Sequence, residues 1–215
     1  MKKCSSVSII GGADGPTSVF LVGKWKKKPL RERVRQFIYQ YRRRRAKKSI
    51  CAAPHMLEEL VDYANKRYFA AEIPKTKKKY IEQYASAKEG LIIMQRPDLL
   101  DGLGEIARPD VWKEETAREM LRQIQIRSER IAQIPDEEMP MDFHIYEIRI
   151  EGGWMEMEID YQWDIFSMSY SGDKKSMKAL KEIVRDLYLY YGVSGEDIKN
   201  ETKRYSALLN VLSCK

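Results

Sequence analysis

The switch from helical to alternating hydrophobic periodicity after Pro135 constrains this chain more than any other feature. His144, Tyr146, Ile148 and Ile150 recur at every second position, Gly152 and Gly153 interrupt, and Met155, Met157, Ile159, Tyr161 and Trp163 alternate with Glu156, Glu158 and Asp160. A two-residue period puts successive side chains on opposite faces of a strand, and paired glycines supply the backbone conformations of a tight turn. The segment is expected to form an antiparallel hairpin with one apolar and one acidic face, covered on the apolar side alone. Ile165 to Tyr170 is expected to add a third strand.

Elsewhere the helical period dominates. Val34, Phe37, Ile38 and Tyr41 place one apolar stripe on the very basic segment Arg31 to Lys48. Pro54 opens a second helix with Leu57, Leu60, Val61, Ala64 and Tyr68 on its stripe, since its missing N–H costs nothing there. Lys77 to Glu89 repeats the pattern through Tyr80, Ile81 and Tyr84, Leu91 to Met94 reads as a short strand, and Pro97 to Pro109 reads as loop. Lys113 to Ile134 is the longest helix, with Ala117, Met120, Leu121, Ile124 and Ile131 inward and Pro135 as its stop. After an Asp173 cap, Lys174 to Tyr191 buries Met177, Leu180, Val184, Leu187 and Tyr188 and ends at Gly192. Ser194 and Asp197 form a capping box for a last helix bearing Ile198, Tyr205, Leu208 and Leu212. The expected class is α+β, with a mainly helical N-terminal part and then a small antiparallel sheet of two or three strands with C-terminal helices. Residues 1–28 form an N-terminal segment and basic linker, 29–135 a helical region, and 136–215 the hairpin sheet and two helices. The last two share one domain or stand apart.

Composition narrows the classes of function. No stretch offers the roughly 20 apolar residues that a membrane-spanning helix needs, because Asp14 and a glycine-rich turn interrupt the uncharged run from Cys4 to Gly23. Asp14 and Pro16 also occupy the place of a signal peptide's apolar core. Cys4, Cys51 and Cys214 are odd in number and far apart, which suits a reducing, cytoplasmic setting. No HExxH, GxSxG or nucleotide-binding fingerprint is present, and His55 and His144 read as structural, so no enzymatic activity is expected.

Ser8-Ile9-Ile10-Gly11-Gly12-Ala13-Asp14-Gly15-Pro16-Thr17-Ser18-Val19-Phe20 resembles a signature stretch of the β subunit of sodium-translocating decarboxylases, the family of the oxaloacetate, methylmalonyl-CoA and glutaconyl-CoA decarboxylase pumps. The resemblance covers a small fraction of the chain. It implies a sodium ligand at Asp14, with the Thr17 and Ser18 hydroxyls nearby, and a chain related or accessory to such pumps. The membrane helices that complete the family's site have no counterpart here. The same residues also read as an ordinary turn between two β-like runs, Ser6 to Ile10 and Val19 to Val22, with the glycines supplying positive φ. Apart from that sodium ion, no cofactor is expected.

The net charge of +7 conceals a strong asymmetry, because Lys24 to Lys48 holds thirteen lysines and arginines against the single acid Glu32. Asp136 to Asp164 holds ten acids against the single base Arg149. Lys26, Lys27, Lys28, Arg42, Arg43, Arg44, Arg45, Lys47 and Lys48 are the candidate contacts to an anionic partner. The leading expectation is a non-catalytic binding protein for a protein partner or acidic surface. Nucleic-acid binding through residues 24–48 is the alternative, since aromatic residues interleave the cations. Docking on anionic lipid headgroups and neutralisation by the protein's own acidic hairpin also remain open.

Overall fold

The computed structural model describes residues 5–9, 30–103, 106 and 114–213, with 5–9 described as backbone alone. Asp14, Thr17, Ser18, Lys26, Lys27 and Lys28 lie outside the described residues, as does most of the stretch that resembles the decarboxylase subunit. The described residues divide into two compact units, one drawn from 5–9, 30–72, 145–159 and 164–213, the other from 73–103, 106, 114–144 and 160–163.

The architecture is α+β. Strands β1 (Ser5–Ile9), β2 (Ala71–Glu72), β3 (Phe143–Ile150), β4 (Gly153–Asp160) and β5 (Ile165–Gly172) form one antiparallel sheet in the order β1-β5-β4-β3-β2. The expected hairpin and third strand are its centre. The sheet is nevertheless larger than the two or three strands expected, because distant segments pair with its two edges. Ser5 to Ile9 aligns with Gly172 to Met168, and Ala71 and Glu72 with Glu147 and Tyr146. Such pairing joins residues far apart in sequence and leaves no local signature. The hairpin turn puts Gly152 at φ 77°, a conformation that favours glycine.

The expectation of a solvated acidic face fails on the central strand. Met155, Met157 and Ile159 are fully buried as anticipated, but so are Glu156 and Asp160 on the opposite face. On β3, Phe143 and Ile145 are buried and so is Ile148, which alternation places on the other side. The period identifies which residues share a face and says nothing about how many faces the fold covers.

In the first unit, α5 (Ser176–Tyr191) packs on β5, where Phe166 meets the rings of Tyr188 and Tyr191 at 5.2 Å between centroids. Leu180, Val184, Leu187 and Tyr188 are buried as their spacing predicts. Asp173 caps the helix, its Oδ1 accepting the N–H groups of Lys175 and Ser176 at 2.9 and 2.8 Å, while the Ser176 hydroxyl donates to Gly152 O in the hairpin turn. Helix α2 (Leu57–Tyr68) lies against α5, and α1 (Leu30–Ser49) against the last helix. The last of the two expected C-terminal helices, the one after Ser194, is itself two, α6 (Gly195–Asn200) and α7 (Lys203–Ser213). The Ser194–Asp197 capping box starts α6, and Glu201 at φ 47° ends it.

In the second unit, α3 (Lys78–Gln95) packs against α4 (Glu114–Ala132) and a single 3-10 turn at Pro97–Leu100. Leu91 to Met94, read as a strand, is the last turn of α3: a four-residue apolar run fits either conformation, and burial of Leu91 and Ile92 on a helix face decides it. Lys88 is also buried, its ammonium donating to Ile134 O at 2.7 Å and Asp136 Oδ1 at 2.6 Å. That pairing holds the Asp136 carboxyl below its usual range. Leu121, expected inward on α4, is 65% exposed.

Candidate anion-binding surface

Helix α1 carries nine basic residues and one acid, and its orientation determines which of them can act. Ala46 is its buried contact, and Tyr39 and Arg43 face α7 with it. The Arg43 guanidinium donates to Asn210 Oδ1 at 2.9 Å and to the Tyr39 hydroxyl at 3.2 Å, and Tyr39 Oη lies 3.4 Å from the same Asn210 oxygen. These contacts fix the rotation of the helix. At 3.6 residues per turn, Leu30, Val34, Phe37, Tyr41 and Lys48 then fall within an arc of about 60° on the side opposite α7. All five are exposed, Leu30 and Phe37 at 75% and Tyr41 at 61%. The apolar stripe read from the sequence therefore points away from the protein and forms an outward ridge.

Arginines line this ridge. By the same geometry Arg33 and Arg44 flank one side, and Arg45, with Ile38, the other. On the Arg45 side a groove of about 640 Å³ opens, lined by Ile38, Tyr41, Arg42, Arg45, Ala46, Ser49, Arg185 of α5 and Leu212 of α7. Its apolar lining is Ile38, Ala46 and Leu212, and its polar groups are the hydroxyls of Tyr41 and Ser49 and three guanidiniums. Arg42, Arg45 and Arg185 have no ion pair among the described residues. Lys47 is the α1 cation that a carboxylate does hold, 2.6 Å from Glu201 on the turn before α7. This hydrogen-bonded pair raises the Lys47 pKa and lowers that of Glu201.

The sequence-derived candidates thus separate. Arg42 and Arg45 line the groove, Arg44 and Lys48 lie exposed beside or on the ridge, Arg43 is committed to α7, and Lys47 is paired. Arg185 and Leu212 were missed. Arg185 is a single arginine on the outer face of a helix chosen for its inner one, and no local signal connects it with a segment about 140 residues earlier.

A second polar cluster between α2 and α5 is closed by its own partners. Asp186 Oδ2 accepts from the Tyr63 and Tyr68 hydroxyls, each at 2.7 Å, and is ion-paired with Arg67, whose Nε lies 3.2 Å away and donates to the Tyr68 hydroxyl. Tyr63 stacks on Tyr190, which stacks on His55. Burial, with the Asp186 hydrogen bond behind it, pushes the Tyr63 hydroxyl up to about 12, so it stays a proton donor to that carboxylate. The cluster fastens two helices. Among the described residues no group of three or more His, Cys, Asp or Glu side chains is placed to hold a metal ion. Among the same residues no helix is long and apolar enough to cross a membrane. No family model, curated protein or solved structure matches the chain.

Proposed function

We propose that this is a binding protein rather than an enzyme, engaging an anionic partner through α1 and the adjoining arginine groove. The observation that carries the reading is the set of three guanidiniums, Arg42, Arg45 and Arg185, around apolar side chains, with no carboxylate among the described residues paired to them. Guanidinium groups present planar arrays of donors suited to carboxylate and phosphate oxygens, and apolar side chains add contact area without competing acceptors. A cytoplasmic setting suits Cys51, an exposed free thiol.

Retention on immobilised heparin, a generic polyanion, tests the reading. Replacing Arg42, Arg45 and Arg185 together by Gln is expected to lower the eluting salt concentration markedly, because each lost contact removes one released counterion. Unchanged elution of a variant with an unchanged melting temperature overturns the assignment of the site.

A further inference from the structure

We infer, on the basis of that reading, that the anionic partner is a lipid bilayer on which α1 docks along its outward ridge. The argument rests on the order in which an approaching surface meets the side chains. The outermost groups are Leu30, Val34, Phe37 and Tyr41, with Lys48 at the C-terminal end of the same arc, and the arginines stand at its flanks. A nucleic-acid backbone or a purely acidic surface could engage the arginines and Lys48, but would leave the four apolar side chains of the arc facing charged groups or water.

An anionic bilayer has the complementary layering. Its apolar interior lies beneath the phosphate level, so a ridge that enters the interface brings flanking arginines to the height of the headgroups. The aromatic rings of Phe37 and Tyr41 suit that boundary, and the long arginine stems reach back to the phosphates. Arg42, Arg45 and Arg185 then provide a groove beside the ridge for a headgroup phosphate. The helix is firmly backed, since Ala46, Tyr39 and Arg43 hold it to α7 from the opposite side. Its apolar face is thus presented without unfolding.

Co-sedimentation of the full chain with phosphatidylcholine vesicles, with and without phosphatidylserine, decides the matter when run beside the heparin assay. The expected result is binding to the phosphatidylserine vesicles, weak binding to the neutral ones, and loss with added salt. Phe37→Ser is expected to lower partitioning about tenfold by removing buried apolar area. Arg44→Gln and Arg45→Gln should each lower it about fivefold. All three positions lie away from the α7 contact, so melting temperatures should be unchanged.

Retention on heparin with no sedimentation on anionic vesicles overturns the bilayer inference and leaves the binding reading standing. Failure of both assays overturns both. Sedimentation that ignores Phe37→Ser overturns the ridge geometry, and tighter binding to a short DNA duplex that also ignores Phe37→Ser assigns the arginines to nucleic acid instead. Displacement from vesicles by an acidic amphipathic peptide at lower concentration than by phosphatidylserine itself assigns the ridge to a protein groove.

Discussion

Replacing Arg204 by Ala should release the end of α5 from α7, and the structure supplies the magnitude. The Arg204 guanidinium donates to Tyr191 O at 2.6 Å, His55 O at 2.7 Å and Gly192 O at 2.9 Å, and lies 3.6 Å from the centre of the buried Tyr191 ring. Two of these acceptors lie at the C-terminal end of α5, where carbonyls lack helical partners and the helix dipole is negative. A hydrogen bond from a charged donor contributes about 1.5–3 kcal/mol. Arg204 is itself half-buried, so water reaches part of the vacated site, and we take about half of the summed value, on the order of 3 kcal/mol. The ring contact adds about 0.5–1 kcal/mol. With a urea slope of about 2–3 kcal/mol/M, the midpoint should fall by about 1–2 M. Arg204→Lys keeps the charge but offers one ammonium to three divergent carbonyls, and should recover less than half of the loss. Urea denaturation followed by circular dichroism measures both. A loss below about 1 kcal/mol for Arg204→Ala, or a lysine variant equal to the wild type, would refute the reasoning.

Two further outcomes follow from the same physics. Gly192 stands at φ 60° with the Ala53 carbonyl where a Cβ would go, so Gly192→Ala should destabilise by about 3 kcal/mol or more, measured by thermal melting. Asp160 is buried, and that burial raises its carboxyl pKa although backbone N–H groups, Trp163's at 3.0 Å among them, partly offset it. A raised folded-state pKa leaves stability intact below the unfolded value of about 3.9 and removes it as pH climbs through the folded value, by about 1.4 kcal/mol per unit of elevation. Asp160→Asn keeps an acceptor for the Trp163 N–H and should melt higher than the wild type at pH 7. That advantage should vanish when the two are compared in acid, and an advantage that persists there would contradict the assignment.

How much was legible beforehand depended on the range of the interaction. The hairpin about Gly152, the Ser194–Asp197 capping box, the Asp173 cap and the buried stripe of α5 all rest on neighbours within a turn or a strand pair, and the structure contains them. Leu91 to Met94 was ambiguous because four apolar residues fit a helix face as well as a strand, and its neighbours on the second unit's helices resolve it.

The sequence alone determined that the chain is α+β, that its central strands alternate, and that α1 carries both an apolar stripe and most of the positive charge. Periodicity does this because it depends on bond geometry, which is local. The tertiary structure decided that Glu156 and Asp160 are buried, that distant segments extend the sheet, and that Arg185 and Leu212 join Arg42 and Arg45 around one groove. It also decided which way α1 faces. An amphipathic helix can bury either its apolar stripe or another face, and the choice rests with what the neighbouring helix offers: here Asn210 and the surface of α7 take Tyr39, Arg43 and Ala46, and the stripe is left outward.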